Sequence, residues 1–134
     1  MIDRPQAVKD GKAIATFDFD ETITLPKWLW VLKTWNRTLD PNWNIINELC
    51  RLLCNDWKIA VVTERRKSPN NIREINHFMQ QHNIPILPIY YTGGYEKSPL
   101  LKEIKSIVHF DDDMHEIDHL DESITGVLVP HPDN

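Results

Sequence analysis

The sequence predicts an α/β protein with a parallel sheet that is covered by helices on both faces. Strand-like segments alternate with helical segments along the chain, and the segment "KIAVVT" at 58–63 is short and apolar on both faces. This alternation is typical of parallel sheets, in which helical crossovers connect the strands. We therefore expect a functional site at the C-terminal ends of the strands.

Five segments have the length and composition of strands. They are residues 13–19, 58–63, 84–91, 106–110 and 124–130. The third contains Pro85 and Pro88. Proline cannot donate a hydrogen bond to a neighbouring strand, so we expect this segment at an edge of the sheet.

A helix is expected between the first two strands. Asp40 followed by Pro41 predicts an N-cap and a first helical residue, opening a helix that runs to about Trp57. Its predicted apolar stripe consists of Ile45, Ile46, Leu49, Leu52 and Leu53.

Capping residues predict three further helices. Ser68 precedes a proline and predicts a helix that ends near Asn83, and Ser98 also precedes a proline and predicts a short helix. Asp113 predicts a brief helix after the fourth strand. Each interval between strands is filled without repeats or linkers, so we expect a single domain over residues 1–134.

The composition is that of an ordinary globular protein. The chain has 134 residues, 41% of them hydrophobic and 26% charged, and its net charge of −5 implies no broad basic face for DNA. We find no membrane span and no apolar signal region near the N-terminus, so we expect a cytoplasmic protein without a membrane partner. Cys50 and Cys54 lie four apart in a helical pattern, which argues against a disulfide or a zinc site.

Acidic and phosphate-binding residue types follow the predicted strands. They are Asp18, Asp20 and Thr22 at the end of the first strand, Thr63 and Arg65 at the second, Lys97 and Lys102 before the fourth, and Asp111, Asp112 and Asp113 after it. If these strands are neighbours, carboxylates converge on one small volume, where like charges require a cation. Oxygen ligands of this kind suit Mg²⁺, and a lysine and a threonine beside them suit a phosphoryl group.

The two aspartates of "FDFD" can divide a phosphoryl-transfer reaction between them. One can attack phosphorus as a nucleophile while the cation screens its charge. The other can act as a general acid for the leaving group and then as a base for water.

Four motifs in this order resemble those of the haloacid dehalogenase superfamily of aspartate-nucleophile phosphohydrolases. They are "FDFDET" after the first strand, "VVT" at the end of the second, "EKSPLLKEI" near a helix start, and "VHFDDD" at the fourth strand. The resemblance runs from about residue 14 to 129. It implies a three-layer Rossmann-like fold whose five-stranded parallel sheet has the order 5-4-1-2-3.

The resemblance also implies roles for the residues after the first two strands. Asp18 would be the nucleophile and Asp20 the acid and base, with Thr22 supporting that loop beside the substrate. Thr63 would bind phosphate. Relatives often have Gly-Arg after this threonine, whereas here Glu64 precedes Arg65; Arg65 remains a candidate phosphate contact, but an inward-pointing Glu64 would repel an anion.

A magnesium site is implied by the same motifs. Asp18, the backbone carbonyl of Asp20 and Asp111 would hold Mg²⁺, and Asp112 is a further candidate ligand. The lysine of the third motif is either Lys97, which we favour, or Lys102.

The chain has no room for the inserted cap domain of most members. An open site of this type often serves large substrates, and the motifs look like those of the phosphatase half of phage polynucleotide kinase. The segment 23–44, which we call the Trp-rich flap, contains Trp28, Trp30, Trp35 and Trp43 and is compatible with stacking on a base. We therefore expect a phosphorylated substrate, with a nucleotide or a nucleic-acid end as the hypothesis.

Two other functions compete with this interpretation. "HEIDH" at 115–119 matches the HExxH zinc pattern, with Glu116 as the base, although Asp118 puts a charge where such a helix is apolar. A receiver-like signalling module would also combine clustered acids with a threonine and a lysine. Receivers, however, carry their phosphorylated aspartate after a middle strand, where this chain has Thr63.

Overall fold

The computed structural model describes residues 13–26 and 39–130. Trp28, Trp30 and Trp35, and with them most of the Trp-rich flap, lie outside the described residues. None of the helices within the described ranges is long and apolar enough to cross a membrane.

The sheet has five parallel strands, as the sequence predicted. They are β1 (Ile14–Phe17), β2 (Lys58–Thr63), β3 (Ile89–Tyr91), β4 (Val108–Asp111) and β5 (Thr125–Leu128). Their order is β3-β2-β1-β4-β5, which is the predicted order read from the other edge. The proline-bearing third segment forms an edge strand, as expected, and within the described ranges no cap domain is present.

Within residues 13–26 and 39–130, four helices connect the strands: α1 (Trp43–Cys54), α2 (Pro69–Gln81), α3 (Ser98–Glu103) and α4 (Met114–Asp118). Two apolar clusters show that both faces of the sheet are covered. Val61 belongs to the cluster that includes α1 and α2, and Val62 belongs to the cluster that includes Leu101 of α3. Successive residues of a strand point to opposite faces, so the two clusters lie on opposite sides.

The predicted stripe of α1 and apolar residues of α2 form much of the first cluster. Ile46, Leu49 and Leu52 of α1 are buried, and so are Phe78 and Met79 of α2. Burial of such side chains is worth about 1.5–3 kcal/mol each, which fixes these helices against the sheet that carries the site.

The predicted start of α1 was wrong. The helix begins at Trp43, because Pro41 forms an isolated antiparallel bridge with Thr24 and Asn42 donates its N–H to the carbonyl of Ile23. The backbone around Asp40 is therefore extended and ties the segment before α1 to the residues that follow β1.

Several other predicted bounds also required correction. Ser68 caps α2 as predicted, but Lys97 holds the N-cap position of α3, and the hydroxyl of Ser98 accepts from the N–H of Asp121 instead. The third strand is limited to Ile89–Tyr91, and the first ends at Phe17, directly before Asp18. Asp113 caps α4, as predicted.

Candidate active site

The two central strands bring the main acidic residues together. β1 and β4 are paired neighbours, with Phe17 opposite Phe110, and the N–H of Asp18 continues the ladder by donating to the carbonyl of Phe110 at 2.9 Å. Asp18, directly after β1, and Asp111, the last residue of β4, therefore lie side by side at the carboxyl edge of the sheet. This is where a parallel sheet was expected to carry its site.

Lys97 lies between these two carboxylates. Its Nζ is 2.8 Å from Oδ1 of Asp18 and 2.7 Å from Oδ2 of Asp111, and the Lys97 side chain is only 1% exposed. A buried ammonium is costly unless it is paired, and here both partners are themselves buried. Although burial opposes the charged form, the two carboxylates raise the pKa of Lys97 above its ordinary value, so the lysine remains charged.

The two carboxylates differ in their protonation. Burial raises the pKa of Asp18, and the charge of Lys97 only partly offsets it. Burial would also raise the pKa of Asp111, but the hydrogen bond from His109 together with the charge and hydrogen bond of Lys97 lowers it to about 2. Asp111 is thus ionised at neutral pH. Any further positive charge in the site would lower the pKa of Asp18 and favour its ionised form.

Thr22 and Asp112 complete the acidic group. The hydroxyl of Thr22 lies 3.2 Å from Oδ2 of Asp18 and 3.4 Å from Oδ1 of Asp112, and it accepts from the N–H of Asp112 at 3.1 Å. The turn that carries Thr22 is irregular, with Glu21 in the left-handed region at φ 61°. Such a conformation is uncommon for a non-glycine residue and is often found at functional sites.

Three carboxylates could hold a metal ion. Ligand oxygens of Asp18, Asp111 and Asp112 all lie within 4.8 Å of one another, and no other such group occurs among the described residues. All three donors are hard carboxylate oxygens, which fit Mg²⁺ or a similar cation. The donor set therefore matches the predicted ion in its chemistry.

A chain of buried, hydrogen-bonded side chains holds the carboxylate of Asp111 in position. Nε2 of His109 is 2.9 Å from Oδ2 of Asp111, and Nδ1 is 2.8 Å from the hydroxyl of Thr16, which in turn is 2.8 Å from that of Ser106. Burial lowers the pKa of His109, so the ring is neutral. It then donates from Nε2 to Asp111 and accepts from Thr16 at Nδ1.

Asp20 and Arg65 form a two-point ion pair at the edge of the site. Nε and Nη2 of Arg65 each donate to a different oxygen of Asp20, both at 2.8 Å. The hydrogen bond and charge of Asp20 raise the pKa of Arg65 above its ordinary value. Arg65 was predicted as a phosphate contact, but its guanidinium points to Asp20 and does not line the cavity.

Glu64 does point inward, and it is paired with another carboxyl group. Glu64 lines the cavity and hydrogen-bonds Glu116 of α4, whose Oε2 also accepts from the N–H of Lys97 at 3.2 Å. Burial and this hydrogen bond raise the pKa of Glu116 to about 7. Glu116 is therefore partly protonated near neutral pH, which reduces the negative charge on this side of the cavity.

The remaining predicted residues lie in different places. Thr63 is fully buried at the end of β2, and its hydroxyl accepts from the N–H of Arg65 at 3.2 Å. Lys102 lies outside the cluster: its side chain is 69% exposed and its Nζ is 3.5 Å from Asp121. The structure thus brings Lys97, and not Lys102, to the carboxylates.

A cavity of about 450 Å³ opens over this cluster. Of its lining residues only Lys97 carries a positive charge, and the rest are acidic apart from the half-exposed Met114. An anionic substrate would therefore face mostly carboxylates, and a cation bound among them would reduce this repulsion.

The zinc alternative finds no support in this geometry. The rings of His115 on α4 and of His119, which directly follows α4, lie 4.1 Å apart at the exposed surface, while the Glu116 side chain is buried against Lys97. The three residues of the motif therefore do not face a common site. The receiver-like alternative is weakened because the acids come from β1 and β4, as predicted for the hydrolase.

Two supporting residues escaped the sequence analysis. They are His109, to which the sequence motifs assign no role, and Glu116, which was considered only as part of the zinc pattern. A signal for His109 was present, because it precedes Asp111 by two residues on one strand and such residues share a face. No comparable sequence signal connects Glu116 with Lys97, since their contact depends on how α4 packs.

The fold and the site define an α/β protein with a carboxylate–lysine cluster at the carboxyl edge of its central strands. A family model described as 5'-nucleotidase matches residues 42–134, and the chain belongs to this family. Searches of curated proteins and of solved structures found no match.

Family membership supports a phosphatase that acts on nucleotide phosphomonoesters. The matched residues include β2, α3 and β4 and therefore Thr63, Lys97 and Asp111. Asp18 and Asp20 precede the matched residues and join the site through the pairing of β1 with β4.

Proposed function

We propose that this protein is a magnesium-dependent phosphatase of the haloacid dehalogenase type, which hydrolyses nucleotide phosphomonoesters through an aspartyl-phosphate on Asp18. The observation that carries the proposal is the position of Lys97 between Asp18 and Asp111, beside Asp112, at the floor of the cavity. A nucleophile, a cation site and a fixed positive charge are thereby combined in one place.

Asp18, Asp111 and Asp112 would hold the metal ion, and the backbone carbonyl of Asp20 is a further candidate ligand. Bound there, Mg²⁺ would favour the ionised form of Asp18 and screen the charge of the phosphoryl oxygens. Lys97 contributes a second positive charge from the protein itself. Asp111 is held in position by His109.

In the first step an oxygen of Asp18 bonds to phosphorus while the bond from phosphorus to the leaving oxygen breaks. Asp20 donates a proton to that oxygen. In the second step water attacks the phosphorus, Asp20 accepts its proton, and the bond between phosphorus and Asp18 breaks. Inorganic phosphate leaves and the carboxylate is restored.

Thr22 and Thr63 have supporting roles in this proposal. The hydroxyl of Thr22 contacts Asp18 and Asp112 and orients both carboxylates. Thr63 remains the predicted phosphate contact at the end of β2, although its buried hydroxyl accepts from the N–H of Arg65 and does not line the cavity.

The leaving group is proposed to be a nucleoside, and a nucleic-acid end is the finer hypothesis. An open cavity without a cap in the described residues is compatible with either. The test is phosphate release, with and without Mg²⁺, from nucleoside 5′- and 3′-monophosphates, from 5′- and 3′-phosphorylated oligonucleotides and from sugar phosphates.

We expect Mg²⁺-dependent release with a preference for nucleotide substrates. Preference for an oligonucleotide over the matching mononucleotide would support a polynucleotide end, and equal turnover of sugar phosphates would contradict nucleotide selectivity. Stable phosphorylation of the protein by acetyl phosphate without any turnover would instead favour the receiver-like alternative and contradict catalysis.

A further inference from the structure

The side chain of Arg65 is almost fully engaged by protein partners. Nε and Nη2 hold the two oxygens of Asp20, and Nη1 lies 2.8 Å from Oε1 of Glu74 and 3.3 Å from Oδ1 of Asn71. Four contacts thus use a group that has five N–H donors. A residue held in this way has little capacity left for a substrate phosphate.

Two partners of the Arg65 guanidinium lie on one helix. Glu74 and Asn71 lie on α2, and Asn71 is itself bound to the capping hydroxyl of Ser68 through its N–H. The carbonyl of Arg65 accepts from the N–H of Gly93 at 3.1 Å. Both the backbone and the guanidinium are therefore fixed independently of Asp20.

Asp20, in contrast, lies on an irregular turn. Its backbone is non-helical within that turn, and its side chain is 30% exposed. The guanidinium also lies over the ring of the preceding residue, Phe19, at 5.4 Å from the ring centroid. Arg65 thus holds the turn at two successive residues from the direction of α2.

We propose that Arg65 is a positioning residue, which fixes the carboxylate of Asp20 as the proton donor and acceptor of the reaction. The inference rests on the proposed function. The planar guanidinium binds one lone-pair site on each oxygen of Asp20, and the remaining sites stay available to exchange a proton with the leaving group or with water. A lysine could not form the same two-point contact.

The leaving group provides the test, because only a poor leaving group needs a proton from Asp20. A nucleoside alkoxide is a poor leaving group and p-nitrophenolate is a good one. The quantity to compare is kcat/KM, which reports the steps up to departure of the leaving group, for a nucleoside monophosphate and for p-nitrophenyl phosphate. The inhibition constant of inorganic phosphate measures binding separately.

For Arg65→Met we expect kcat/KM to fall about 10²-fold on the nucleoside monophosphate, the size of a typical general-acid contribution. The loss on p-nitrophenyl phosphate should be smaller by at least about tenfold, and the phosphate inhibition constant should change little. Arg65→Lys should recover part of the loss, and Glu74→Gln should show a weaker loss with the same selectivity. Arg73→Met is the matched control, because Arg73 is exposed on α2 and, among the described residues, hydrogen-bonds Asn70 at the surface and not Asp20.

Equal losses on both substrates would overturn the proposal and indicate a general structural role. If the inhibition constant of phosphate rises and KM rises equally for both substrates, Arg65 contacts the phosphate and the positioning proposal is overturned. If Arg65→Met does not fold, Arg65→Lys and Glu74→Gln decide between the same outcomes. An inactive but folded wild-type protein would refute the proposed function itself, and this inference with it, whereas an active wild type with non-selective losses refutes only the positioning role.

Discussion

At the scale of single residues, the site depends on a lysine that the sequence could not identify uniquely. Lys97 and Lys102 both lie near the start of the same predicted helix, and spacing alone cannot tell which one reaches the strand ends. The structure separates them by environment: Lys97 is buried between two carboxylates, and Lys102 is exposed beside Asp121.

This difference in environment predicts that substitution by methionine lowers kcat strongly at Lys97 and hardly at all at Lys102. Lys97→Met should lower kcat by about 10²–10³-fold, the usual effect of removing a group that stabilises transition-state charge. Lys102→Met should change kcat by no more than about twofold, as expected of an exposed substitution. Phosphate release by both folded variants measures the difference. A large loss in Lys102→Met, or none in Lys97→Met, would contradict the assignment.

Glu116 predicts a pH dependence of stability. Its carboxyl keeps a proton in the folded protein up to about pH 7, whereas the ordinary pKa of glutamate is 4.5. Between pH 4.5 and about pH 7 the unfolded chain binds fewer protons than the folded protein does. The free energy of unfolding therefore falls as pH rises through this range. Glu116→Gln imitates the protonated form and should remove this dependence.

The measurement is urea unfolding of Glu116→Gln and of the wild type at about pH 5 and at about pH 8, on either side of the transition. We expect the variant to gain stability relative to the wild type at the higher pH only. Glu103→Gln, at an exposed position on α3, is the control. The same difference between variant and wild type at both pH values would contradict the assignment.

At the scale of elements, hydrophobic pattern and capping predicted most helices and strands, but competing contacts shifted their ends. Asp40 and Pro41 have the sequence of a helix start, yet their backbone pairs with the segment after β1. Ser98 likewise has the sequence of a cap, yet its hydroxyl accepts from Asp121. Both helix starts were wrongly predicted because hydrogen bonds between residues far apart in sequence determine the backbone there, and a local sequence pattern does not contain these contacts.

The packing of α4 on β5 gives a prediction for an element. A Cβ added at Gly126 would lie 2.9 Å from Cγ2 of Ile117 and from Cδ1 of Leu120. Gly126→Ala should therefore push α4 from the sheet and lower the free energy of unfolding by about 1–3 kcal/mol. Urea unfolding measures this effect, with the exposed Thr125→Ala on the same strand as the control. An unchanged stability of Gly126→Ala would show that α4 can shift without cost.

At the scale of the whole molecule, the strand order explains why the site could be anticipated. With β1 and β4 adjacent at the centre of a parallel sheet, acids that follow both strands must meet, and the sequence placed Asp18 and Asp111 there. The supporting contacts could not be anticipated to the same extent. The pairing of Glu116 with Lys97 and of Arg65 with Asp20 joins elements whose relative position only the folded structure gives.

The same topology joins the matched family region to the strand that precedes it. β1 lies before residue 42 and pairs with both β2 and β4. The proposed nucleophile is thus supplied by a strand outside the match, but inserted between two strands within it.

The most direct test of the central claim is to trap the covalent intermediate on Asp18. Borohydride reduces an aspartyl-phosphate to homoserine, which mass spectrometry can locate in the chain. The Asp20→Asn variant, in which hydrolysis by water should be slow, is incubated with p-nitrophenyl phosphate and Mg²⁺ and then reduced, with a sample lacking substrate as the control. We predict homoserine at position 18 only in the sample with substrate. Phosphate release by the wild type with an unmodified Asp18 in the trapped sample, or homoserine at Asp111 or Asp112 instead, would contradict the claim.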